Sequence, residues 1–118
     1  MGQPVVHFEI GCKDSAKTQA FYSKLFDWQL TPYGPAAMIA TGGEGGIQGH
    51  INSLGHAPHN YMLIYVQVDD LQAYLNKAAG LGGQMVVPAT EVPGMGSFAW
   101  VKDPEGTMVG LWKPVPKA

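Results

Sequence analysis

The chain contains no arginine, so that lysine supplies all seven of its basic side chains. These lysines are not clustered, and the formal net charge is −2. Because the guanidinium group is the side chain best suited to gripping phosphates and guanine edges, this composition argues against nucleic-acid binding. We therefore expect no nucleic-acid partner.

Cysteine is almost as scarce, since Cys12 is the only one. A single cysteine excludes an internal disulfide and leaves a cysteine-based zinc site without further thiolates. No apolar run approaches the roughly 18 residues of a membrane-spanning helix. The first residues show no basic segment leading into an apolar one, as a secretory signal would. We expect a cytoplasmic protein with no membrane partner.

Glycine and proline, in contrast, are frequent, with 16 and nine copies among 118 residues. Such a composition suits many short strands joined by tight turns. A hydrophobic share of 46% is typical of a globular chain, and the length suits one domain.

The first half of the chain predicts a strand, a helix and three further strands. The strand alternates apolar Val6, Phe8 and Ile10 with His7, Glu9 and Gly11, which predicts one buried and one polar face. Asp14 or Ser15 can cap a helix from about Ser15 to Phe26, whose aromatic side we expect to lie on the sheet.

The second half repeats this order. Asp14 and Asp70 lie 56 positions apart, as Leu25 and Leu81 do. The repeat predicts two βαβββ units, at about 4–53 and 61–114, with a linker at about 54–60. We predict an α+β fold in which the curved, mainly antiparallel sheets of the two units form a shared cup.

Three stretches carry a resemblance to a known family: VVHFEI leading to AFYSKLFDW, VQVDDLQAYLNKAAGLGG, and FAWVKDPEGTMVGLW. They resemble the vicinal oxygen chelate superfamily, which includes glyoxalase I, bleomycin-resistance proteins and extradiol dioxygenases. The resemblance covers nearly the whole chain and is strongest to the small glyoxalase-like proteins of bacteria.

The resemblance implies four metal-ligand positions on the floor of the cup. His7 matches the first, but the corresponding positions of the second unit hold Leu63 and Gly110. The remaining position falls between Gln48 and His50. At most two ligands therefore survive, fewer than the three or four that zinc sites use. We expect no metal and no cofactor.

His7 and Glu9 are the candidate catalytic residues, because two residues at this spacing share one face of a strand. His7 could act as a metal ligand, as a general base beside Glu9, or as a buried hydrogen-bonded residue. The sequence leaves these three roles open.

The walls of the cup are predicted by the same alternation of faces. They combine aromatic rings with a few polar groups, as small-molecule sites usually do. The alternative for the aromatic members is a place in the core or in a dimer contact. The candidate ligand-binding residues are Gln48, His50, Tyr65, Gln67, Phe98, Trp100 and Trp112.

Three functional hypotheses follow. The first is a metal-independent, glyoxalase-like protein that binds a small organic molecule in the cup, with isomerase or lyase chemistry. The second is a non-catalytic sequestering protein of the bleomycin-resistance type, and the third is a divalent-metal enzyme of the glyoxalase or dioxygenase type. Relatives often pair, so we expect a homodimer.

Overall fold

The structure, a computed structural model, describes residues 2–34, 36–42, 44–53 and 60–115. These residues form two successive βαβββ repeats, which confirms the predicted α+β class. Residues 54–59 of the predicted linker lie outside the described residues. The elements are β1 (Val5–Gly11), α1 (Ser15–Phe26), β2 (Gln29–Tyr33), β3 (Ala36–Ala40), β4 (Gln48–Asn52), β5 (Tyr61–Gln67), α2 (Leu71–Gly80), β6 (Gln84–Val92), β7 (Gly96–Lys102) and β8 (Met108–Pro114).

The chain divides into two compact units. The first unit is His7–Leu63, and the second combines Met1–Val6 with Ile64–Ala118. Strands of the first unit follow the order β2-β3-β4-β1, and those of the second follow β5-β8-β7-β6. In each unit one pair is parallel, β1 with β4 or β5 with β8, and the other pairs are antiparallel. The prediction of mainly antiparallel sheets is confirmed.

Both helices begin at the aspartates that the sequence marks as caps. The side chain of Asp14 accepts a hydrogen bond from the backbone N–H of Lys17, and Asp70 accepts one from Ala73. Each bond satisfies an amide that has no partner within its helix. These two carboxylates are therefore explained by the fold.

The expected aromatic contact of α1 with the sheet is largely wrong. Only Tyr22 turns inward, where its ring stacks on Trp28 at 5.6 Å. Phe21, Leu25 and Phe26 are 58%, 57% and 52% exposed. Adjacent helical residues point about 100° apart, so a helix that directs Tyr22 at the sheet must turn Phe21 away from it.

The core of each unit lies between its helix and its sheet. In the first unit it is formed by Ile10, Cys12, Ala37, Ile39 and Ile51. The core of the second unit includes two residues of α2 and is formed by Val68, Leu71, Leu75, Ala99, Val101 and Leu111. Apolar side chains are thus drawn to one face of each sheet, and the polar residues of β1 face the other way.

At nine residues, β6 is the longest of the described strands. β6 continues to Val92 although it contains Pro88, because it lies at the edge of its sheet and its register against β7 shifts on either side of Val87. Asp103 holds the turn before β8, because its carboxylate accepts from the N–H groups of Glu105 and Thr107. Asp103 is therefore a turn residue.

Candidate functional site

The pleat of β1 separates its side chains as the sequence predicts. Ile10 is buried in the core of the first unit and Phe8 packs against it. The opposite face presents His7, Glu9 and Gly11. The polar face of one strand therefore supplies both candidate catalytic residues.

The parallel neighbour β4 brings three more polar residues alongside β1. The register pairs His7 with Gln48, Glu9 with His50, and Gly11 with Asn52. Of the two candidate ligand-binding residues on β4, His50 joins the site. Gln48 instead accepts a hydrogen bond from the backbone N–H of Thr41 at 2.6 Å.

His50 lies between the two candidate catalytic residues and contacts both. Its Nδ1 is 2.7 Å from Nε2 of His7, and its Nε2 is 3.0 Å from Oε1 of Glu9. The rings of His7 and His50 are stacked, with centroids 4.9 Å apart. His7, His50 and Glu9 thus form a continuous hydrogen-bonded series, which we call the polar line.

Glu9 is 1% exposed and would be costly to bury without partners. Its second carboxylate oxygen, Oε2, accepts from the hydroxyl of Tyr61, and Nδ2 of Asn52 lies 3.4 Å from the same oxygen. Donors therefore approach both oxygens, as a carboxylate in the interior requires.

Tyr61 reaches Glu9 because Gly11 has no side chain. A Cβ built at Gly11 would overlap the Tyr61 ring. A glycine is therefore needed here for close packing of an aromatic ring against the strand.

The electrostatic surroundings keep His7 neutral. The pKa of His7 is lowered from 6.5 to about 4, with burial as the largest cause, His50 as the second, and Glu9 opposing the shift. Burial, and secondly the hydrogen bond to Glu9, raise the pKa of Tyr61 above its ordinary value of 10.0, so that its hydroxyl stays protonated.

These contacts define one arrangement of protons when Glu9 is ionised and both imidazoles are neutral. His50 donates through Nε2 to Glu9, so its Nδ1 must accept. His7 then donates through Nε2 to that nitrogen, and its own Nδ1 carries the lone pair. The polar line therefore has an unprotonated imidazole nitrogen at one end and a carboxylate at the other.

The polar line does not form a metal-ligand set. Nε2 of His7 faces His50 from one side, whereas Glu9 contacts the nitrogen on the far side of the His50 ring. Throughout the part of the chain that the structure describes, no three His, Cys, Asp or Glu residues could hold a metal ion together. Among the described residues, Glu9 and His7 are therefore not joined by a third ligand, and the absence of a metal stays a prediction.

The other five candidate ligand-binding residues belong to the second unit. Trp100 Nε1 donates to the Tyr65 hydroxyl at 2.9 Å, and both side chains are buried. They flank Gly110 from neighbouring strands, so their hydrogen bond spans β8 at a residue without a side chain. The next row along these strands is half-buried and consists of Gln67, Trp112 and Phe98. A ligand-binding role for these five stays a prediction.

The strand registers align the two repeats. Glu9 is paired with His50, and Tyr65, which lies 56 positions after Glu9, is paired with Gly110. His50 and Gly110 are therefore equivalent positions. The polar pair of the first repeat is replaced in the second by an aromatic residue beside a glycine.

Two members of the site, Asn52 and Tyr61, were not predicted. Asn52 ends β4, in register with Gly11. Its alternation with His50 in β4 was available in the sequence as a signal. Tyr61 begins β5 and reaches Glu9 across a sequence separation of 52 residues, for which no local pattern exists.

Within the described residues, no helix is long and apolar enough to cross a membrane.

Comparison with known proteins gives both family and structural matches. The family model described as the Glyoxalase/Bleomycin resistance protein/Dioxygenase superfamily matches residues 5–111. A curated relative, named "Putative glyoxylase CFP32" of Mycobacterium tuberculosis, is 38% identical over 58 residues. That match covers 49% of this chain and 22% of the relative, so this chain corresponds to only part of it.

Two solved structures share the fold. A glyoxalase/bleomycin resistance protein/dioxygenase superfamily member from Vibrio splendidus is 15% identical, with a TM-score of 0.63 over 96% of this chain and 99% of that one. Methylmalonyl-CoA epimerase from Mycobacterium tuberculosis is 17% identical, with a TM-score of 0.66 over 95% of this chain and 88% of that one. At these identities the likeness concerns the fold alone.

Proposed function

This chain belongs to the glyoxalase/bleomycin resistance protein/dioxygenase superfamily, and we propose that it binds a small organic molecule beside His7 and moves a proton without a metal. The reaction class is isomerase or lyase chemistry at a carbon next to a carbonyl group. The observation that carries the proposal is the unbroken hydrogen bonding from His7 through His50 to Glu9.

The low pKa of His7 explains why a series of groups is needed. The pKa of His7 is about 4, mainly because the ring is buried, so its protonated form is unstable at neutral pH. A proton taken by Nδ1 of His7 can instead release the proton on Nε2 to His50. His50 in turn releases its Nε2 proton to Glu9, so no buried cation remains.

The balance of this step is simple. A C–H bond of the substrate breaks, its electron pair stays on the substrate as an enolate, and the proton joins His7. After both transfers Glu9 is a neutral carboxylic acid and both imidazoles are neutral again.

Deuterium exchange tests the proposal without knowledge of the natural substrate. The protein is incubated in D₂O with pyruvate, acetoin or methyl acetoacetate, and incorporation next to the carbonyl is followed by NMR. We expect exchange above the buffer rate for at least one compound. His7→Gln and Glu9→Gln should each lower the rate at least about 100-fold, whereas Gln29→Ala, at an exposed position of β2, should not.

Two results would overturn the proposal. Exchange that survives both His7→Gln and Glu9→Gln would separate the chemistry from the polar line. Exchange that disappears after treatment with a chelator and returns with added Zn²⁺, Ni²⁺ or Mg²⁺ would show a metal enzyme. Ligand binding with no exchange of any compound would favour the sequestering alternative.

The homodimer and the cytoplasmic location stay predictions, and light scattering in solution tests the former.

A further inference from the structure

A cavity of about 470 Å³ lies at the carboxyl end of β1, beside the first turns of α1 and the start of β5. Its volume falls in the range of small-molecule sites. The lining includes Cys12, Lys17, Phe21, Tyr22, Tyr61 and Met62. None of the candidate ligand-binding residues predicted from the sequence lines it.

From the residues that line it, we propose that this cavity binds a small aromatic carboxylate. We further propose that Tyr61 links binding in the cavity to the polar line. The proposal deepens the proposed function by naming a ligand class and its place. Binding in the cavity does not itself require proton transfer, so each can fail without the other.

The apolar part of the lining suits a flat ring. Phe21 and Tyr22 contribute aromatic faces from α1, at an edge-to-face distance of 5.1 Å between their centroids. Met62 is 64% exposed and lies opposite on β5. A thioether and two rings are a favourable surface for an aromatic ligand.

The charge of the cavity lining favours a ligand of the opposite charge. Lys17 is the charged side chain among the described lining residues, and no described carboxylate lies within ion-pair distance of its ammonium group. Asp14 is occupied at the helix cap, where its side chain accepts from the Lys17 backbone N–H. A ligand carboxylate beside Lys17 gains an ion pair that the described residues do not already provide.

Tyr61 contacts both the cavity and the polar line. Its ring lines the cavity and packs on Gly11, while its hydroxyl donates to Glu9. A ligand that presses on this ring changes the position of the hydroxyl, and through Glu9 it changes the partner of His50. The titratable and charged groups facing Tyr61 are Glu9 and, in the cavity lining, Cys12, Lys17 and Tyr22.

Binding is tested with phenylacetate and with phenylacetamide, its neutral counterpart of nearly the same shape. Phenylacetate should bind in an NMR titration and shift the signals of Phe21 and Tyr61. Lys17→Met should weaken it about fivefold, while phenylacetamide should bind Lys17→Met and the unchanged protein alike. Lys24→Met is the matched control, because Lys24 lies in the last turn of α1, outside the cavity lining.

The link through Tyr61 is read from the imidazole ¹⁵N shifts of His50 and His7. Saturating phenylacetate should move these shifts in the unchanged protein but not in Tyr61→Phe, whose affinity should change less than threefold.

Equal affinity for both probes, no effect of Lys17→Met, or no binding at all would overturn the site. Shifts that persist in Tyr61→Phe would overturn the link. Binding that survives His7→Gln, in a protein that catalyses no exchange, would uphold the cavity while the proposed function fails.

Discussion

The ring of Tyr61 occupies the space that a side chain at Gly11 would fill. Gly11→Ala should therefore displace the ring and lower the free energy of unfolding by about 1–3 kcal/mol, the usual cost of overpacking. Urea unfolding measures this loss. Gly80→Ala at the end of α2, where an added Cβ meets nothing within 4 Å, is the control and should cause no loss. If the collision is the cause, Gly11→Ala should cost much less in a Tyr61→Ala background; an equal cost there would contradict it.

Tyr61→Phe removes one donor from the buried carboxylate of Glu9 and keeps the ring. Hydrogen bonds to charged groups contribute more than neutral ones, so we expect a loss of about 2 kcal/mol in unfolding free energy. Tyr33→Phe, at a side chain that is 75% exposed, should be neutral. Indistinguishable urea midpoints for the two variants would show that the Tyr61 hydroxyl does not support Glu9.

Stability should depend on pH through His7. Its pKa falls from 6.5 to about 4 on folding, so between these values the unfolded chain binds a proton that the folded chain does not. The free energy of unfolding should decrease as pH falls through this window and stop decreasing on this account below about pH 4. His7→Gln should make the slope shallower by about one proton. Parallel curves for the two proteins would rule out a shifted His7.

His50→Gln should raise the pKa of His7, because it removes the second-largest cause of the shift. Burial is the largest cause and remains, so the value should stay below 6.5. NMR titration of the His7 ring provides the measurement. Gln48→Ala is the control: Gln48 is paired with His7 in register but its side chain contacts Thr41. An unchanged or lower His7 pKa in His50→Gln would contradict the assignment.

Sequence patterns predicted the parts of this structure that depend on near neighbours. The alternation around His7 and Glu9 gave the correct face, and Asp14 and Asp70 gave the start of each helix. Short-range periodicity is sufficient for such features, because strand pleat and helix capping are set within a few residues.

The partners within the site depended on strand register, which the sequence left open. Gln48 and His50 share one face of β4, and only the register of β1 with β4 places His50, rather than Gln48, beside Glu9. The same limit applies to α1. The apolar residues Phe21, Leu25 and Phe26 are all more than half exposed, because the presence of apolar side chains in a helix does not specify which of them turn inward.

All five polar residues of the site lie between positions 7 and 61, in the first compact unit. The equivalent pair in the second repeat, Tyr65 and Gly110, carries neither a carboxylate nor an imidazole. Duplication of one βαβββ unit would have given both halves the same starting residues. The two halves are then free to accumulate changes of different kinds: variation in the second can alter stability while the hydrogen-bonded polar residues of the first stay intact.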